Sequence, residues 1–331
     1  MEKNTDVSAW LRAMPVAAAP MAGYTDRAFR EILRDMGAGL IYTEMVSDMA
    51  LCYGSQKTFA MLDIAGERGP LVIQLCGSEP EYMARGARII EDWVERQQAQ
   101  VVMLDINMGC PAPKIVKNGE GCRLMQRPEQ AARVVAAVAG AVRLPVSVKL
   151  RLGWDQEHQN VLEVARLAAA AGARLVAIHG RTREQFYAGE ADWHLIGEAA
   201  ARLSVPVLGN GDIDSVAGAK ERLAETGCAG VMIGRGLLGN PWLMRDLARE
   251  FGGLAPLGRP GPGEILAVAL RHLRRQVEIC GEYMGVRQMR SHLPLYIKGI
   301  PGAAAMRGRL NGLSTLTEVE NALVEFLSEV R

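Results

Sequence analysis

The sequence has few cysteines, few aromatic residues, almost no excess of either charge and no long apolar run. Six cysteines in 331 residues are too few for a disulfide scaffold. Because no two of them form a CxxC pair, we expect no structural zinc site, and we expect no other metal centre. A formal net charge of +1 excludes a uniformly basic nucleic-acid-binding protein. No segment approaches the ~20 apolar residues that span a bilayer, and residues 1–10 have no apolar signal core, so we expect a cytoplasmic protein.

Short apolar runs alternate with longer amphipathic segments, and most of the runs are continuously apolar, as in parallel strands that are covered on both faces. The predicted strands are Val16–Ala19, Leu40–Thr43, Leu71–Cys76, Val101–Ile106, Val146–Leu150, Leu175–His179, Val205–Gly209 and Gly230–Ile233. The predicted helices among them are Thr25–Met36, Glu81–Gln97, Pro128–Val142, His158–Ala171, Asp192–Leu203, Ser215–Thr226 and Pro241–Phe251. This count in about 250 residues predicts an α/β fold, the (β/α)8 TIM barrel. A doubly wound sheet is the alternative, but the GxGxxG turn that usually follows its first strand is missing.

The composition changes near residue 252. The stretch Gly252–Gly263 is dense in glycine and proline, which indicates a linker. Only helical patterns follow it, at Glu264–Gly281, Gly285–Ile300, Ala303–Leu310 and Thr317–Val330. We therefore predict a barrel domain at 1–251, a linker at 252–263 and an all-helical domain at 264–331.

The predicted helical domain carries a local excess of positive charge. Residues 269–310 contain eight Lys and Arg side chains against two Glu side chains. Such an excess favours a surface that binds nucleic acid, and an ordinary solvated helix face is the alternative. Within this stretch we single out Arg271, Arg274 and Arg275 as candidate contacts.

Catalytic groups of a TIM barrel lie on the loops that follow the carboxyl ends of the strands. The loops after the seventh and eighth predicted strands contain GNGDI and IGRG, which combine small residues, backbone N–H groups and Arg235. Backbone donors and arginine bind phosphate well, and these two strands carry the recurrent phosphate site of such barrels. The two loops together favour a phosphate site, and tight turns without a ligand are the alternative.

Three further side chains at strand ends indicate chemistry. Lys149 lies in an apolar strand, where burying its charge is costly unless the lysine faces a group that becomes negative, such as a reduced flavin. The alternatives are a lysine that forms a Schiff base with the substrate and a lysine whose ammonium group reaches solvent. Cys110 lies in a Gly-Cys-Pro turn, where its thiol can donate a proton or, if its pKa is lowered, act as a nucleophile. The alternative is a buried cysteine without a chemical role. His179 can hold a phosphate, a flavin edge or a substrate, and no HxH or HExxH spacing indicates a metal.

Several longer motifs occur in a fixed order along the chain. They are APMAGYTDRAFR (19–30), DINMGCPAPKIVKNGEGCRLM (105–125), PVSVKLRLGWD (145–155), AIHGRTREQFYAGEADW (177–193), PVLGNGDI (206–213) and GVMIGRGLLGNPW (230–242). In these motifs, from about Pro15 to Leu310, the chain resembles the tRNA-dihydrouridine synthases, in the bacterial branch that contains the NifR3-like proteins. Where many members have glycine followed by alanine in the stretch after the GCP turn, this chain keeps the glycines and has Glu120 and Cys122.

The resemblance implies an FMN-dependent reductase that converts specific uridines of tRNA to 5,6-dihydrouridine, with NADPH or NADH as reductant. The cofactor-binding residues that it implies are Pro20, Met21, Ala22, Gln74, Lys149, His179, Asn210, Gly211, Asp212, Gly234 and Arg235. It implies that Cys110 is the proton donor and that Asn107 and Arg181 face the uracil. We expect the arginines of the helical domain to contact the rest of the tRNA.

Two other classes of function stay open at this level. An FMN-dependent reductase of a small pyrimidine, similar to a dihydroorotate dehydrogenase, would leave the basic helices unexplained. A regulatory NifR3-type protein with an inactive barrel would have no use for Cys110, Lys149 and Arg235. No motif specifies the modified uridine, the oligomeric state or a protein partner.

Overall fold

A computed structural model describes residues 7–328, and its centre is a closed barrel of eight parallel strands. The strands are β1 Val16–Ala18, β2 Leu40–Ser47, β3 Leu71–Cys76, β4 Val101–Met108, β5 Val146–Arg151, β6 Leu175–His179, β7 Val207–Asn210 and β8 Gly230–Ile233. Each strand pairs with the next along the chain, and β8 closes on β1. The predicted TIM barrel is therefore confirmed.

Successive side chains of each strand point alternately into the barrel and toward the surrounding helices. On β5, Val146, Val148 and Leu150 pack in the outer hydrophobic core, whereas Ser147 and Lys149 point inward. Apolar side chains such as Leu40, Leu175 and Leu208 fill the lower part of the barrel. Polar side chains replace them toward the carboxyl ends of the strands, so these ends form the chemically active mouth of the barrel.

Helices cover the outside of the barrel and form the part of the chain beyond it. Among residues 7–328 the α-helices are α1 Val7–Ala13, α2 Arg27–Asp35, α3 Asp48–Cys52, α4 Gln56–Met61, α5 Pro80–Gln97, α6 Pro113–Lys117, α7 Pro128–Ala141, α8 Val161–Ala170, α9 His194–Arg202, α10 Val216–Thr226, α11 Trp242–Phe251, α12 Pro262–Cys280, α13 Glu282–Met289, α14 Leu293–Tyr296, α15 Ala303–Gly312 and α16 Leu316–Ser328. Two 3-10 helices lie at Gly121–Gln126 and Arg235–Leu237. The sequence predicted the long helices but missed the short α1, α3, α4 and α6.

Two local predictions were wrong. The predicted helix Thr25–Met36 begins two residues later, at Arg27, because Asp26 is its N-cap: the Asp26 carboxylate accepts the N–H of Phe29 at 2.9 Å, while the Thr25 hydroxyl is bonded to Met21. The predicted helix Gly285–Ile300 is divided into α13 and α14 by a turn at residues 290–292. The second of these helices starts with proline in its first turn, where the missing N–H costs nothing.

The helices after residue 261 share a second hydrophobic core, which Ile32 of α2 and Trp242 of α11 join from the barrel. The stretch between α11 and α12 is irregular, as predicted, but it is tied to the barrel because the Asp246 carboxylate accepts the N–H groups of Leu257 and Gly258. The predicted domain boundaries stay a prediction, and the end of the predicted last helix lies outside the described residues.

No helix within residues 7–328 is both long enough and apolar enough to cross a membrane.

Candidate active site

A buried carboxylate, Asp105 of β4, lies at the floor of the barrel mouth. The amide of Gln74 on β3 donates to it at 2.7 Å, and the hydroxyl of Ser147 on β5 donates to it at 2.6 Å. Burial raises the pKa of Asp105 to about 6, against these two hydrogen bonds and the charge of Lys149. Asp105 was not predicted as a site residue, although an acid in the otherwise apolar run 101–106 was a usable signal.

The side chain of Asn107 connects this floor to the turn that contains the cysteine. Its amide nitrogen donates to the Gln74 side-chain oxygen at 2.8 Å. Its own oxygen accepts the backbone N–H groups of Gly109 at 3.2 Å and Cys110 at 2.9 Å. Asn107 therefore fixes the backbone of the Gly-Cys-Pro turn, and its predicted contact with the uracil stays a prediction.

The half-buried Cys110 follows the end of β4 and is backed by the 3-10 helix Gly121–Gln126. The N–H of Cys122 donates to the Cys110 carbonyl at 3.1 Å. Gly121 has a φ of +58°, and a Cβ there would lie 3.1 Å from the Cys110 Cβ, so only glycine lets the two segments approach this closely.

The environment of Cys110 keeps its thiol protonated at neutral pH. Burial raises the pKa of Cys110, although the Ala112 N–H and the nearby charges of Arg151 and Lys149 lower it, and Glu120 raises it further. A thiol in this state is a proton donor rather than a thiolate nucleophile. The environment therefore favours the first of the two chemical roles that the sequence left open.

Lys149 points from β5 into the barrel mouth. Its ammonium group donates to the Asn210 side-chain oxygen at 3.2 Å, and the Asn210 amide donates to the carbonyl of Met232 on β8 at 2.7 Å. Burial lowers the pKa of Lys149 to about 8, helped by the charge of Arg151 and opposed by Asp105. The Asn210 side chain thus connects Lys149 of β5 to the backbone of β8.

A group of cations surrounds the buried His179 at the end of β6. These cations, which we call the cationic group, are Lys149, Arg151, Arg181 and Arg235. Burial and these charges together lower the pKa of His179 far below its usual value, so the imidazole is neutral. Two acids oppose the four cations, Asp212 through direct ion pairs and Asp105 from below, so positive charge is in excess.

The guanidinium of Arg181 is 2% exposed and is held by the loop between β6 and α9. It donates to the carbonyls of Ala188 at 3.0 Å and Gly189 at 2.5 Å, and to the Asp212 carboxylate at 2.7 Å. These bonds fix Arg181 beside His179, whose Nε2 lies 3.3 Å from Arg181 Nη1. The predicted contact of Arg181 with the uracil stays a prediction.

The loops after β7 and β8 converge at the mouth. A Cβ on Gly236 would lie 2.2 Å from the carbonyl oxygen of Ile213, so glycine is required for this contact. Among residues 7–328 the backbone N–H groups of Gly234, Arg235 and Gly236 have no hydrogen-bond acceptor. Asp212 has a φ of +51° and ion-pairs with Arg235 at 3.3 Å, which holds that arginine beside the free N–H groups. Free donors next to an arginine suit a phosphate.

The turn after β1 closes the mouth from the other side. Pro20 and Met21 are half-buried and Ala22 is exposed. The Met21 sulfur lies 3.3 Å from where a Cβ of Gly234 would be, so this turn meets the loop after β8.

Two further side chains of the mouth, Arg151 and Tyr187, had no role assigned from the sequence. Arg151 is 2% exposed and donates to the carbonyls of Gly109, Thr182 and Phe186, so it joins the cysteine turn to the loop after β6. The Tyr187 ring lies over the guanidiniums of Arg235 at 4.8 Å and Arg151 at 5.5 Å. Only spatial proximity reveals these contacts, because the partners come from the end of β5 and from three different loops. Within residues 7–328 no group of three or more His, Cys, Asp or Glu side chains is placed to hold a metal ion.

The three arginines singled out on α12 are all paired with acids. Arg271 lies 3.0 Å from Asp35 and Arg274 lies 2.6 Å from Glu320. Arg275 lies 2.6 Å from Glu31 of α2 and 3.0 Å from Glu278. The positive charge of residues 269–310 is thus partly neutralised in the folded protein, since α2 and α16 supply acids from outside this stretch. The exposed Lys298 and Arg307 have no acidic partner among residues 7–328.

Comparison with known proteins places the chain among relatives of one kind. The profile of a family described as dihydrouridine synthase matches residues 17–331. A probable tRNA-dihydrouridine synthase of Rhodobacter capsulatus is 40% identical over 315 residues, which cover 94% of this chain and 95% of that protein. The tRNA-dihydrouridine synthase B of Xanthomonas axonopodis pv. citri is 40% identical over 303 residues, 92% of this chain and 90% of that protein. The protein of the same name from Pseudomonas syringae pv. tomato is 38% identical over 313 residues, 94% and 90% of the two chains.

Proposed function

The chain belongs to the dihydrouridine synthase family, and we propose that it reduces the C5=C6 bond of specific uridines in tRNA, with FMN as its cofactor and NADPH or NADH as reductant. The observation that carries this proposal is the juxtaposition of a protonated thiol, Cys110, with a cationic group that has too few acids to neutralise it. Reduction of a C=C bond needs a proton donor, and a phosphate-bearing cofactor needs positive charge.

The residues of the mouth fit an FMN molecule. The free backbone N–H groups of residues 234–236 together with Arg235 would hold its phosphate. Lys149 would stabilise the part of the ring system that becomes negative, and Gln74 and Asn210 would offer amide groups. The neutral His179 would act as a hydrogen-bonding group rather than as a charge. Asp212 would act indirectly, since its carboxylate orients Arg181 and Arg235.

When bound, FMN supplies the hydride that saturates C6 of the uracil. Cys110 gives its Sγ proton to C5, and a thiol held protonated by burial is suited to this step at neutral pH. Asn107 holds the Cys110 backbone in place and so orients the thiol. The buried Asp105 fixes Gln74 and Ser147 below the reacting groups.

A uridine inside folded tRNA is stacked, so it has to leave the stack before it can reach the barrel mouth. The rest of the tRNA would lie against positive charge outside the mouth. Lys298 and Arg307 supply charge that no described acid neutralises, whereas Arg271, Arg274 and Arg275 contribute less because of their ion pairs. The cytoplasmic location stays a prediction.

The test uses the purified full-length protein with FMN, NADPH and unmodified tRNA, and mass spectrometry of the digested tRNA detects dihydrouridine. We expect uridines of the tRNA to gain two hydrogens in an FMN-dependent reaction, and free uridine and orotate to react far more slowly or not at all. Reaction of the small pyrimidine without reaction of the tRNA would favour the small-molecule reductase. Absence of flavin binding together with absence of reaction would favour a regulatory protein.

A further inference from the structure

Buried acids and thiols collect on the side of Cys110 that lies toward β3. This set, which we call the protic cluster, consists of Asp48, Cys76, Cys110 and Glu120. Asp48 is 1% exposed, Cys76 is 2% exposed and Glu120 is 8% exposed. Carboxyl groups are rarely buried to this extent without a cation. The reaction as proposed above uses only one member of the cluster, Cys110.

Glu120 lies immediately before the segment that packs on Cys110. The next residue, Gly121, makes the close approach to Cys110 described above, and the N–H of Cys122 donates to the Cys110 carbonyl. The backbone N–H of Glu120 is itself fixed by the carbonyl of Ile115 at 3.2 Å. The carboxyl of Glu120 is therefore held in a defined place next to the cysteine turn.

The Glu120 carboxyl has only uncharged partners among residues 7–328. The Cys76 thiol donates to its Oε2 over a distance of 3.4 Å, and Asn118 provides a second hydrogen bond. Burial raises the pKa of Glu120, and these two hydrogen bonds lower it. A buried carboxyl with no cation beside it holds a proton more readily than one in water.

Asp48 extends the cluster on the other side. Its carboxylate accepts the N–H of Met49 at 2.5 Å and lies against the backbone of Gly77, where a Cβ would meet it at 2.0 Å. Burial raises the pKa of Asp48 to about 6, and the like charges of Glu120 and Glu79 add to this. The negative charge of Glu120 thus makes ionisation of the Asp48 carboxyl less favourable.

Resting on the proposed role of Cys110 as proton donor, we propose that Glu120 is a positioning residue that keeps the Cys110 thiol protonated and returns its proton after each turnover. When Sγ of Cys110 gives its proton to C5, a C–H bond forms there and a thiolate is left. The Cys76 thiol, which donates to the Glu120 carboxyl and whose ionisation the nearby Cys110 opposes, passes one proton to that thiolate and receives one from Glu120. Glu120 then takes a proton from water, and no electron moves in these transfers.

The groups around Cys110 oppose one another, which explains why a carboxyl is useful there. Arg151 and Lys149 on the β5 side stabilise the thiolate and lower the pKa of Cys110. Burial and Glu120 on the other side raise it. Without Glu120 the pKa of Cys110 would be lower, because only burial would then oppose the two cations of the mouth.

The test measures the protonation of Cys110 directly, in protein without tRNA and without FMN. The alkylation rate of Cys110 by iodoacetamide is followed across pH by mass spectrometry of the peptide that contains it, in wild type, Glu120→Gln and the matched control Glu129→Gln, which changes an exposed acid of α7. We expect Glu120→Gln to lower the thiol pKa by roughly one unit, the usual effect of removing a neighbouring like charge, and Glu129→Gln to leave it unchanged. In multiple-turnover assays the alkaline fall of activity should begin at lower pH in Glu120→Gln.

Glu120→Ala serves as a second variant and should shift the pKa in the same direction, so the test stands even where one variant does not fold. An unchanged thiol pKa in a folded Glu120 variant, judged by circular dichroism, would overturn the inference while leaving the role of Cys110 intact. Full dihydrouridine formation by Cys110→Ala would instead overturn the proposed function. The two failures are therefore distinguishable.

Discussion

The two halves of the barrel mouth hold different kinds of titratable groups. The half over β5 to β8 contains the cationic group around His179, and the half over β3 and β4 contains the protic cluster around Cys110. Burial favours the neutral form of a titratable group in both halves. Arginine cannot lose its proton, so the first half stays positive, whereas burial raises the pKa of the thiols and carboxyls of the second half and so favours their protonated forms. One half is thus suited to bind an anion and the other to donate a proton.

The largest expected effect is the loss of the proton donor. Cys110→Ala should lower dihydrouridine formation by roughly 10²–10⁴-fold, the usual contribution of a general acid, with little change in FMN affinity. Mass spectrometry of tRNA measures the first quantity and quenching of flavin fluorescence the second. Cys228→Ala, which removes a buried thiol below β8, is the control and should keep its activity. A parallel loss of FMN affinity in Cys110→Ala would contradict the division of the mouth, by which we mean that one half binds the anion and the other donates the proton.

A change in the half that contains the cationic group should weaken FMN binding and leave the proton donor intact. Arg235→Ala removes the guanidinium beside the free N–H groups of residues 234–236, so we expect FMN to bind about 10- to 100-fold more weakly, as for loss of a charged hydrogen bond. Titration of flavin fluorescence measures this. Arg133→Ala, on the exposed face of α7, should bind FMN as wild type does. Equal affinity in Arg235→Ala and Arg133→Ala would remove Arg235 from the phosphate site.

The pH dependence of FMN binding should report on Lys149. Because burial lowers the pKa of Lys149 to about 8, the free protein loses this positive charge as the pH rises through that value. FMN affinity should therefore fall several-fold between about pH 7.5 and 9. Lys149→Arg keeps its charge over this range and should show no such fall. A fall of the same size in both proteins would assign the titration to another group.

The smallest effect is expected at the arginines of α12. Exposed ion pairs already occupy Arg271, Arg274 and Arg275, so replacing all three by glutamine should weaken tRNA binding only a few-fold. The double variant Lys298→Glu and Arg307→Glu should weaken it more and reduce the salt dependence by about one unit of slope for each lost phosphate contact. Filter binding at several salt concentrations distinguishes the two variants. A larger effect of the α12 change would mean that tRNA displaces the acids.

The apolar runs predicted all eight strands, and the bounds of β3, β6 and β8 agree with the structure. The carboxyl ends of β2 and β4 were predicted too short, because Glu44 and Asn107 interrupt the apolar pattern. These polar residues belong to the strands and point to the mouth, so the pattern fails where the site begins. The short helices after β2 and β4 were missed since one or two turns carry no clear period.

The site was predicted in its main positions but not in its connections. Cys110, Lys149 and Arg235 stand out in a sequence because each is unusual in its immediate context. The ion pairs of Asp212, the position of Arg151 between two loops and the partners of Glu120 depend on residues far apart in the chain. No periodicity reports such contacts, and the pairing of the α12 arginines with α2 and α16 was hidden for the same reason.

The most direct test of the division of the mouth is the rate of dihydrouridine formation at saturating FMN in Cys110→Ala and Arg235→Ala. The division predicts that excess FMN restores most of the wild-type rate to Arg235→Ala, because that variant lacks only affinity, and restores nothing to Cys110→Ala. Recovery of Cys110→Ala by FMN, or failure of Arg235→Ala to recover, would contradict it.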